Sequence, residues 1–458
     1  MVETHNISTF AHIIPLQYGR YALFSALWLR VIFFDESLLP FVQSIKNGLP
    51  YKSSLRSIPP KIRTEASKLF VQMKDEEFLN PENDDKKIMQ IRKAIDDQDI
   101  SIMYLIVTSN CNLACSYCYL SELLEEKPNQ NMRIDTARKA IDLFSKNIRR
   151  NEVHNPEIIF YGGEPLLNLD LIEFALDYAS KVLPNCRFVL NTNGTFVNEK
   201  AIQIMKKYNI EVGLSIDGTK AIHDSCRVDK GGKGTFDRAM TGYRKLVKKG
   251  INVGISCTIT PQNVKHLTKI TEWLINEEGT SALGFNLLIG PPVISEDDYS
   301  KKAAQALLDS YQIAWKAGVY EERMARRVNA FSDGVVSLND CGGCGLQVVI
   351  TPDEKIGVCQ AFMNTGENFM DLTQIDNPQD HELWSLWRKR SPFNMEHCLK
   401  CEALGICGGG CPYNSQLRYG NFMQPDLTHC EHAKLTLRFL LQELLNVTLN
   451  ENKTSETV

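Results

Sequence analysis

The chain has 458 residues, 43% of them hydrophobic and 23% charged, with a formal net charge of -4. That composition predicts a folded, soluble protein with a large core, long enough for one big domain and smaller ones. The charge balance gives no overall basic field of the kind nucleic acid or an anionic membrane requires, so neither is an expected partner. The apolar run from Ala22 to Phe34 is too short to span a bilayer, is interrupted by Arg30, and is followed by no small-residue cleavage site. A cytoplasmic location follows as the expectation. Fourteen cysteines in a long chain without a secretion signal point to metal ligation rather than a disulfide framework.

Residues 1–95 read as a small α+β module, with strand-like alternation from Tyr18 to Phe34 and amphipathic helical segments at Asp35 to Lys46 and Lys61 to Lys74. From residue 100 to 320, apolar β-rich runs alternate with helical patterns. The strand candidates are Ile102 to Thr108, Glu157 to Tyr161, Arg187 to Asn191, Glu211 to Ile216, Asn252 to Ile259 and Ala282 to Ile289. Right-handed crossovers curl six such units into a partial (β/α)6 TIM-like barrel, an α/β fold whose site lies at the carboxyl ends of the strands. The last helix is expected from Ser295 to Gly318, and the charged stretch from Glu321 to Arg327 reads as a solvated connection. Residues 331–435 are rich in Cys and Gly and short of long periodic runs, so metal clusters are expected to hold that region. The polar residues 446–458 read as a flexible tail.

The chemistry sits at the predicted strand ends. After the first strand comes Cys111-xxx-Cys115-xx-Cys118 with Tyr117 inside it. Three thiolates are one short of the four a [4Fe-4S] cluster normally takes, which leaves one iron open. A zinc site with an external ligand is the alternative, although zinc sites usually pair CxxC motifs. Gly162-Gly163-Glu164-Pro165 follows the second strand, and its glycines allow close backbone approach. Asn191-Thr192-Asn193-Gly194 follows the third as a polar cluster or an Asn-Gly turn. Ser215 and Asp217-Gly218 follow the fourth, with His223-Asp224 and Arg227 beyond; the His-Asp pair reads as an exposed helix cap. Eight further cysteines, Cys341, Cys344, Cys359, Cys398, Cys401, Cys407, Cys411 and Cys430, suffice for two closed four-iron clusters. Cys186, Cys226 and Cys257 lie outside any cluster spacing and read as ordinary thiols.

The CxxxCxxC triad with its aromatic resembles the signature of the radical S-adenosylmethionine (SAM) superfamily. The resemblance implies that the amino and carboxylate groups of SAM chelate the open iron, and that an electron from the cluster cleaves the sulfonium to a 5′-deoxyadenosyl radical that abstracts a substrate hydrogen. It further implies that Tyr117 lies near the adenine and that Gly162, Gly163 and Glu164 engage the ammonium. Asn191 and Asn193 fall at the ribose, and Ser215 and Arg227 bind the carboxylate, which a guanidinium can grip bidentately. The C-terminal array is similar to the SPASM domain, whose pattern CxxCx5CxxxC runs from Cys398 to Cys411 without gaps. By that likeness Cys341, Cys344, Cys359 and Cys411 hold an inner auxiliary cluster, and Cys398, Cys401, Cys407 and Cys430 an outer one. Glu354 stands where that pattern has a glycine.

Three [4Fe-4S] clusters and SAM are thus the implied cofactors, and the implied activity is that of an oxidoreductase. Family members of this kind form thioether, carbon-carbon or carbon-oxygen cross-links in ribosomally made (RiPP) precursor peptides, or oxidise Cys or Ser to formylglycine in sulfatases. Sulfatase-maturing relatives place an aspartate base directly after the third inner cysteine, where this chain has Gln360. A neutral amide cannot act as that base, so cross-linking is the first expectation and formylglycine formation the second. A non-catalytic iron-sulfur carrier or zinc-stabilised protein is the third, disfavoured by the SAM-binding set. A precursor peptide or protein substrate and an electron donor such as flavodoxin or ferredoxin are the expected partners. The alternating run from Tyr18 to Leu23 is a candidate sheet edge for leader-peptide binding by strand addition, or a packing surface.

Overall fold

The computed structural model describes residues 7–79, 81–121, 123, 130–290 and 298–455. Three strands open the chain, β1 (Ala11–Pro15), β2 (Arg20–Ser25) and β3 (Arg30–Asp35), in an antiparallel meander of order β1-β2-β3. Side-chain alternation sends β2 to two cores. Leu23 packs with Ile32, Phe34, Phe41 and Ile45 of its own module, whereas Ala22 and Phe24 pack with Leu404, Ala433 and Leu437 of the Cys-rich region. The helices Leu39–Lys46 and Arg63–Asp75 match the expected segments, and a third, Glu82–Asp96, adds to them. One expectation is corrected here. Tyr18 and Gly19 form a turn with φ of 63° and 64°, and Arg20 to Leu23 lie in the central strand, paired on both sides. That run therefore offers no free edge for strand addition.

The six expected barrel strands are present as β4 (Ile102–Thr108), β5 (Glu157–Gly162), β6 (Arg187–Thr192), β7 (Glu211–Ser215), β8 (Val253–Ile259) and β9 (Ala282–Leu287). They pair in parallel in that order, with helices in the crossovers. Period-2 alternation sets the two faces of β4. Met103, Leu105 and Val107 join the core under the helices, and Tyr104 and Ile106 point the other way, into a small cluster with Leu120, Val349 and Met363. The last barrel helix spans Tyr299–Lys316; the earlier start expected at Ser295 falls outside the described residues.

The charged stretch after it is not a solvated connection. Tyr320 and Glu321 form β10 against β9, and Glu322–Asp333 is a helix. Glu321 is buried at 1% exposure and accepts from the backbone N–H of Phe285, Arg323 and Met324. The Cys-rich region then adds β11 (Gln347–Ile350), parallel to β4, and β12 (Lys355–Gly357) and β13 (Phe369–Asp371), antiparallel, so one ten-stranded sheet runs through both regions. Apolar side chains of the Cys-rich region join the barrel core and the N-terminal module's core, so packing as well as any metal holds the region, which corrects the expectation that a core plays no part there. Trp387 stacks on Phe422 at 4.5 Å and meets Phe362 edge-on at 5.4 Å.

The helix Leu427–Ser455 buries Ala433, Leu437, Leu441 and Leu445, a spacing of four that lines one helical face, and packs on Tyr299–Lys316. Its length replaces the flexible tail expected from residue 446. No helix among the described residues is long and apolar enough to cross a membrane. Glu321→Ala strands three buried backbone donors and should lower unfolding free energy by about 1–3 kcal/mol. Chemical denaturation checks this, and a change under about 0.5 kcal/mol, the level of an ordinary surface substitution, contradicts the capping role.

Candidate functional site

The Cys111 to Cys118 loop leaves the carboxyl end of β4 and is laced to the residues on either side of Arg227. Ala114 N–H donates to Val228 O at 2.8 Å and Ser116 N–H to Cys226 O at 2.9 Å. The three thiols sit within electrostatic reach of one another, and burial pushes Cys111 up to about 12 and Cys115 up to about 11. Thiols so raised stay protonated until a metal displaces the proton.

Gly162 and Gly163 let the β5 loop lie directly on this one. A Cβ on Gly163 would fall 2.1 Å from Asn110 O, and one on Gly162, whose φ is 143°, would fall 2.3 Å from Thr108 O. Glu164 turns inward, at 1% exposure. Its carboxylate accepts from Leu166 N–H, Thr192 Oγ1 and Asn193 N–H at 3.1, 2.7 and 2.8 Å, tying the second-strand loop to the third. A carboxylate has about four acceptor positions, and three are filled here.

Asn193 Nδ2 donates to Asn112 Oδ1 at 3.0 Å, which connects the third loop to the cysteine loop. Asn191 lies over Gly213, where a Cβ would come 2.4 Å from its Oδ1. Ser215 ends β7, half-buried and in register with Ser256.

Asp217 organises these parts, and sequence reasoning passed over it because Asp-Gly reads as a turn. It is fully buried at 0% exposure. Its Oδ2 accepts from Tyr117 Oη at 2.5 Å and Arg227 Nε at 2.7 Å, and its Oδ1 accepts from Thr258 N–H at 3.0 Å. The guanidinium then lies 5.4 Å from the Tyr117 ring centre, with Nη1 4.0 Å from Cys115 Sγ. His223, expected exposed, is instead buried beneath this group. Its Nδ1 accepts from Asp217 N–H and its Nε2 meets Thr235 Oγ1, and burial lowers it to about 4. Asp224 does cap, accepting from Phe236 N–H at the start of the helix Phe236–Lys248.

The eight C-terminal cysteines form two groups. Cys341 and Cys344 interact electrostatically, a Cβ on Gly343 would lie 3.4 Å from Cys341 Sγ and 3.6 Å from Cys359 Sγ, and Cys411 interacts electrostatically with Cys341 and Cys359. Cys430 interacts instead with Cys398, Cys401 and Cys407. Cys411 is thus separated from its sequence neighbour Cys407. Among the described residues no three His, Cys, Asp or Glu side chains converge on a single-ion position.

Glu354 occupies the turn between β11 and β12 with φ of 59°, the left-handed conformation a glycine takes most easily. Its carboxylate is held by Arg133, Thr136 and Lys139. Gln360 Oε1 accepts from Gln347 Nε2 at 3.0 Å, so that amide is part of the scaffold.

A model of the radical SAM superfamily matches residues 105–274. An uncharacterized protein of Methanocaldococcus jannaschii is 37% identical over 188 residues, 41% of this chain and 62% of that protein, so the match spans less than two thirds of that relative. The radical SAM cyclopropyl synthase TigE of Paramaledivibacter caminithermalis is 24% identical over 76% of each chain. The cysteine-type anaerobic sulfatase-maturating enzyme of Clostridium novyi is 29% identical over 74% of this chain and 94% of that one. The solved structure of native anSMEcpe with bound AdoMet and Kp18Cys peptide shares the fold, with a TM-score of 0.59 at 22% identity over 76% of this chain and 99% of that chain.

Asp217→Asn removes the counter-charge of a buried guanidinium and should destabilise the metal-free protein by about 3–5 kcal/mol. Anaerobic denaturation measures it; a loss below about 1 kcal/mol, the worth of an exposed pair, contradicts the role given to Asp217.

Proposed function

We propose, from the match of a radical SAM superfamily model to residues 105–274, that the protein is a radical SAM peptide-modifying oxidoreductase. It takes a hydrogen from a residue of a ribosomally made precursor and oxidatively closes a thioether, carbon-carbon or carbon-oxygen cross-link. The observation that carries this reading is the combination, in one chain, of an open three-thiol loop with two separate four-thiol groups. Cys111, Cys115 and Cys118 hold the cluster with the free iron. Cys341, Cys344, Cys359 and Cys411 hold one closed cluster, and Cys398, Cys401, Cys407 and Cys430 the other. When bound, these groups and SAM supply the adenosyl radical that begins the reaction and an acceptor for the electron that ends it.

The chain's own residues bind and orient. Asp217 fixes Arg227 through Nε and so leaves the guanidinium's outer edge for a carboxylate. It also pins the Tyr117 hydroxyl, which makes that ring a rigid wall for an adenine. Glu164 contributes its remaining acceptor position to an ammonium, and its close-packed glycines keep the neighbouring loop within reach. Asn191, Asn193 and Ser215 supply polar groups along the same strand ends. On this reading residues 1–95 are an accessory module, 100–320 the barrel and 331–435 a SPASM domain. The substrate class follows the peptide bound in the structural neighbour and the sulfatase named for the C. novyi relative; a flavodoxin or ferredoxin in the cytoplasm supplies electrons.

The C. novyi relative favours formylglycine formation as a second reading, because the match covers 94% of its length. Gln360 weighs against it, since its amide cannot take a proton and is engaged by Gln347. Anaerobic co-expression with a precursor peptide encoded beside the gene decides between them. Cross-linking predicts loss of a hydrogen pair per link, with fragmentation blocked between the joined residues. An unchanged peptide, with a sulfatase Cys converted to formylglycine by the same preparation, selects the second reading. Cys115→Ala should reduce 5′-deoxyadenosine formation to background; turnover within tenfold of wild type contradicts the assignment of the open iron.

A further inference from the structure

Arg390 is fully buried, at 0% exposure, and the oxygens around it carry no charge. Nε donates to Phe422 O at 2.6 Å and Nη1 to Gly410 O at 2.7 Å. Nη2 is shared among Gly409 O, Ser415 Oγ and Gln424 O at 3.0, 3.1 and 3.3 Å. Two of the other three buried arginines have carboxylates, Asp217 for Arg227 and Asp340 for Arg327, whereas Arg388 has only neutral oxygens. Among the described residues no carboxylate lies within 4.0 Å of Arg390. An arginine cannot shed its proton to escape burial, so a guanidinium held this way is strongly unfavourable unless an anion accompanies it.

One thiol lies within reach of that charge. Nη1 lies 3.9 Å from Cys344 Sγ, itself at 0% exposure and one of the four inner thiols. The same guanidinium grips the carbonyls of Gly409 and Gly410, the two residues before Cys411, so it touches two of the segments that build the inner group. Arg390 makes no hydrogen bond to a thiol of the outer group, although its charge also reaches Cys398.

We propose that Arg390 is the counter-ion of the inner four-thiol site. It sets a fixed positive charge and an N–H against the Cys344 thiolate and holds the reduction potential of an iron-sulfur cluster there above the value the same four thiolates would otherwise give. A nearby cation stabilises the more negative, reduced state of such a cluster, and hydrogen bonds to cluster sulfurs act in the same direction. Lysine does not substitute fully, because the planar fork supplies the five donors that the carbonyl cage and the thiolate use together. The inference rests on the proposal that the inner site holds a four-iron cluster.

The test is an EPR-monitored reductive titration of full-length protein, reconstituted anaerobically, in a Cys111→Ala/Cys115→Ala/Cys118→Ala background that removes the first cluster's signal. Arg390→Gln should weaken the electron affinity of one auxiliary cluster at least tenfold, or 59 mV for a one-electron couple, and shift the other by less. Arg390→Lys, which keeps the charge, should shift the same cluster less. An Arg390→Gln protein with full iron and an unmoved potential overturns the proposal, as does a Lys variant that shifts as far as the Gln variant. Should Arg390→Gln lose iron, the Lys variant decides, since iron retained by Lys supports the charge role and iron lost from both overturns it. Failure of the Arg390-competent parent to take up iron at the inner site would instead defeat the underlying reading, and is seen before any Arg390 variant is made.

Discussion

The parallel pairing of β11 with β4 governs the arrangement of everything else. Its register, Gln347 against Ile102 through Ile350 against Leu105, extends the barrel sheet into the Cys-rich region. The carboxyl end of β4 leads to Cys111. The opposite end of β11 is preceded by Cys341 and Cys344, and β12 runs back antiparallel to bring Cys359 to that same end. The open triad and the inner group are thereby separated by the length of a seven-residue strand, roughly 20 Å at the usual rise per residue. Two candidate redox sites are held apart by hydrogen-bonded backbone, with no dependence on a flexible linker.

The interval between them is filled by Tyr104, Tyr119 and Tyr161. Tyr119 Oη and Tyr161 Oη are 2.8 Å apart, and the Tyr104 ring meets Tyr161 edge-on at 5.8 Å. Burial raises all three hydroxyls, so they remain neutral and avoid placing negative charge between two thiol groups. Positive charge is treated differently at the two ends. At the open triad, Arg227 is paired with a carboxylate and part of its edge stays available. At the inner group, Arg390 has only dipoles and a thiol around it. The first arrangement suits a site that binds and releases a ligand, the second a site whose negative charge is permanent.

Much of this was legible from residue order. The six barrel strands are long apolar β-rich runs, and their observed ends differ from expectation by two residues at most. The cysteine spacing separates the CxxxCxxC triad from the eight C-terminal cysteines, whereas the division of those eight into two sets is implied only by the resemblance to the SPASM domain. What escaped had weak local signal. β11, β12 and β13 are three or four residues long, too short for a period to register, and only the sheet reveals them. The helix Glu322–Asp333 is masked by its charges, because burial of Glu321 and Arg327 depends on partners distant in sequence. Strand order in the N-terminal meander, and hence which strand is an edge, is a tertiary fact. Asp217 and Arg390 look ordinary in sequence and gain meaning only from the groups burial places beside them.

The central claim is that this chain builds three separate iron-sulfur sites, one open and two closed. Iron and acid-labile sulfide per chain, determined with zinc on anaerobically reconstituted protein, tests it most directly. Three four-iron clusters predict about twelve of each with little zinc. About four of each, or zinc in place of iron at the C-terminal cysteines, would contradict the account.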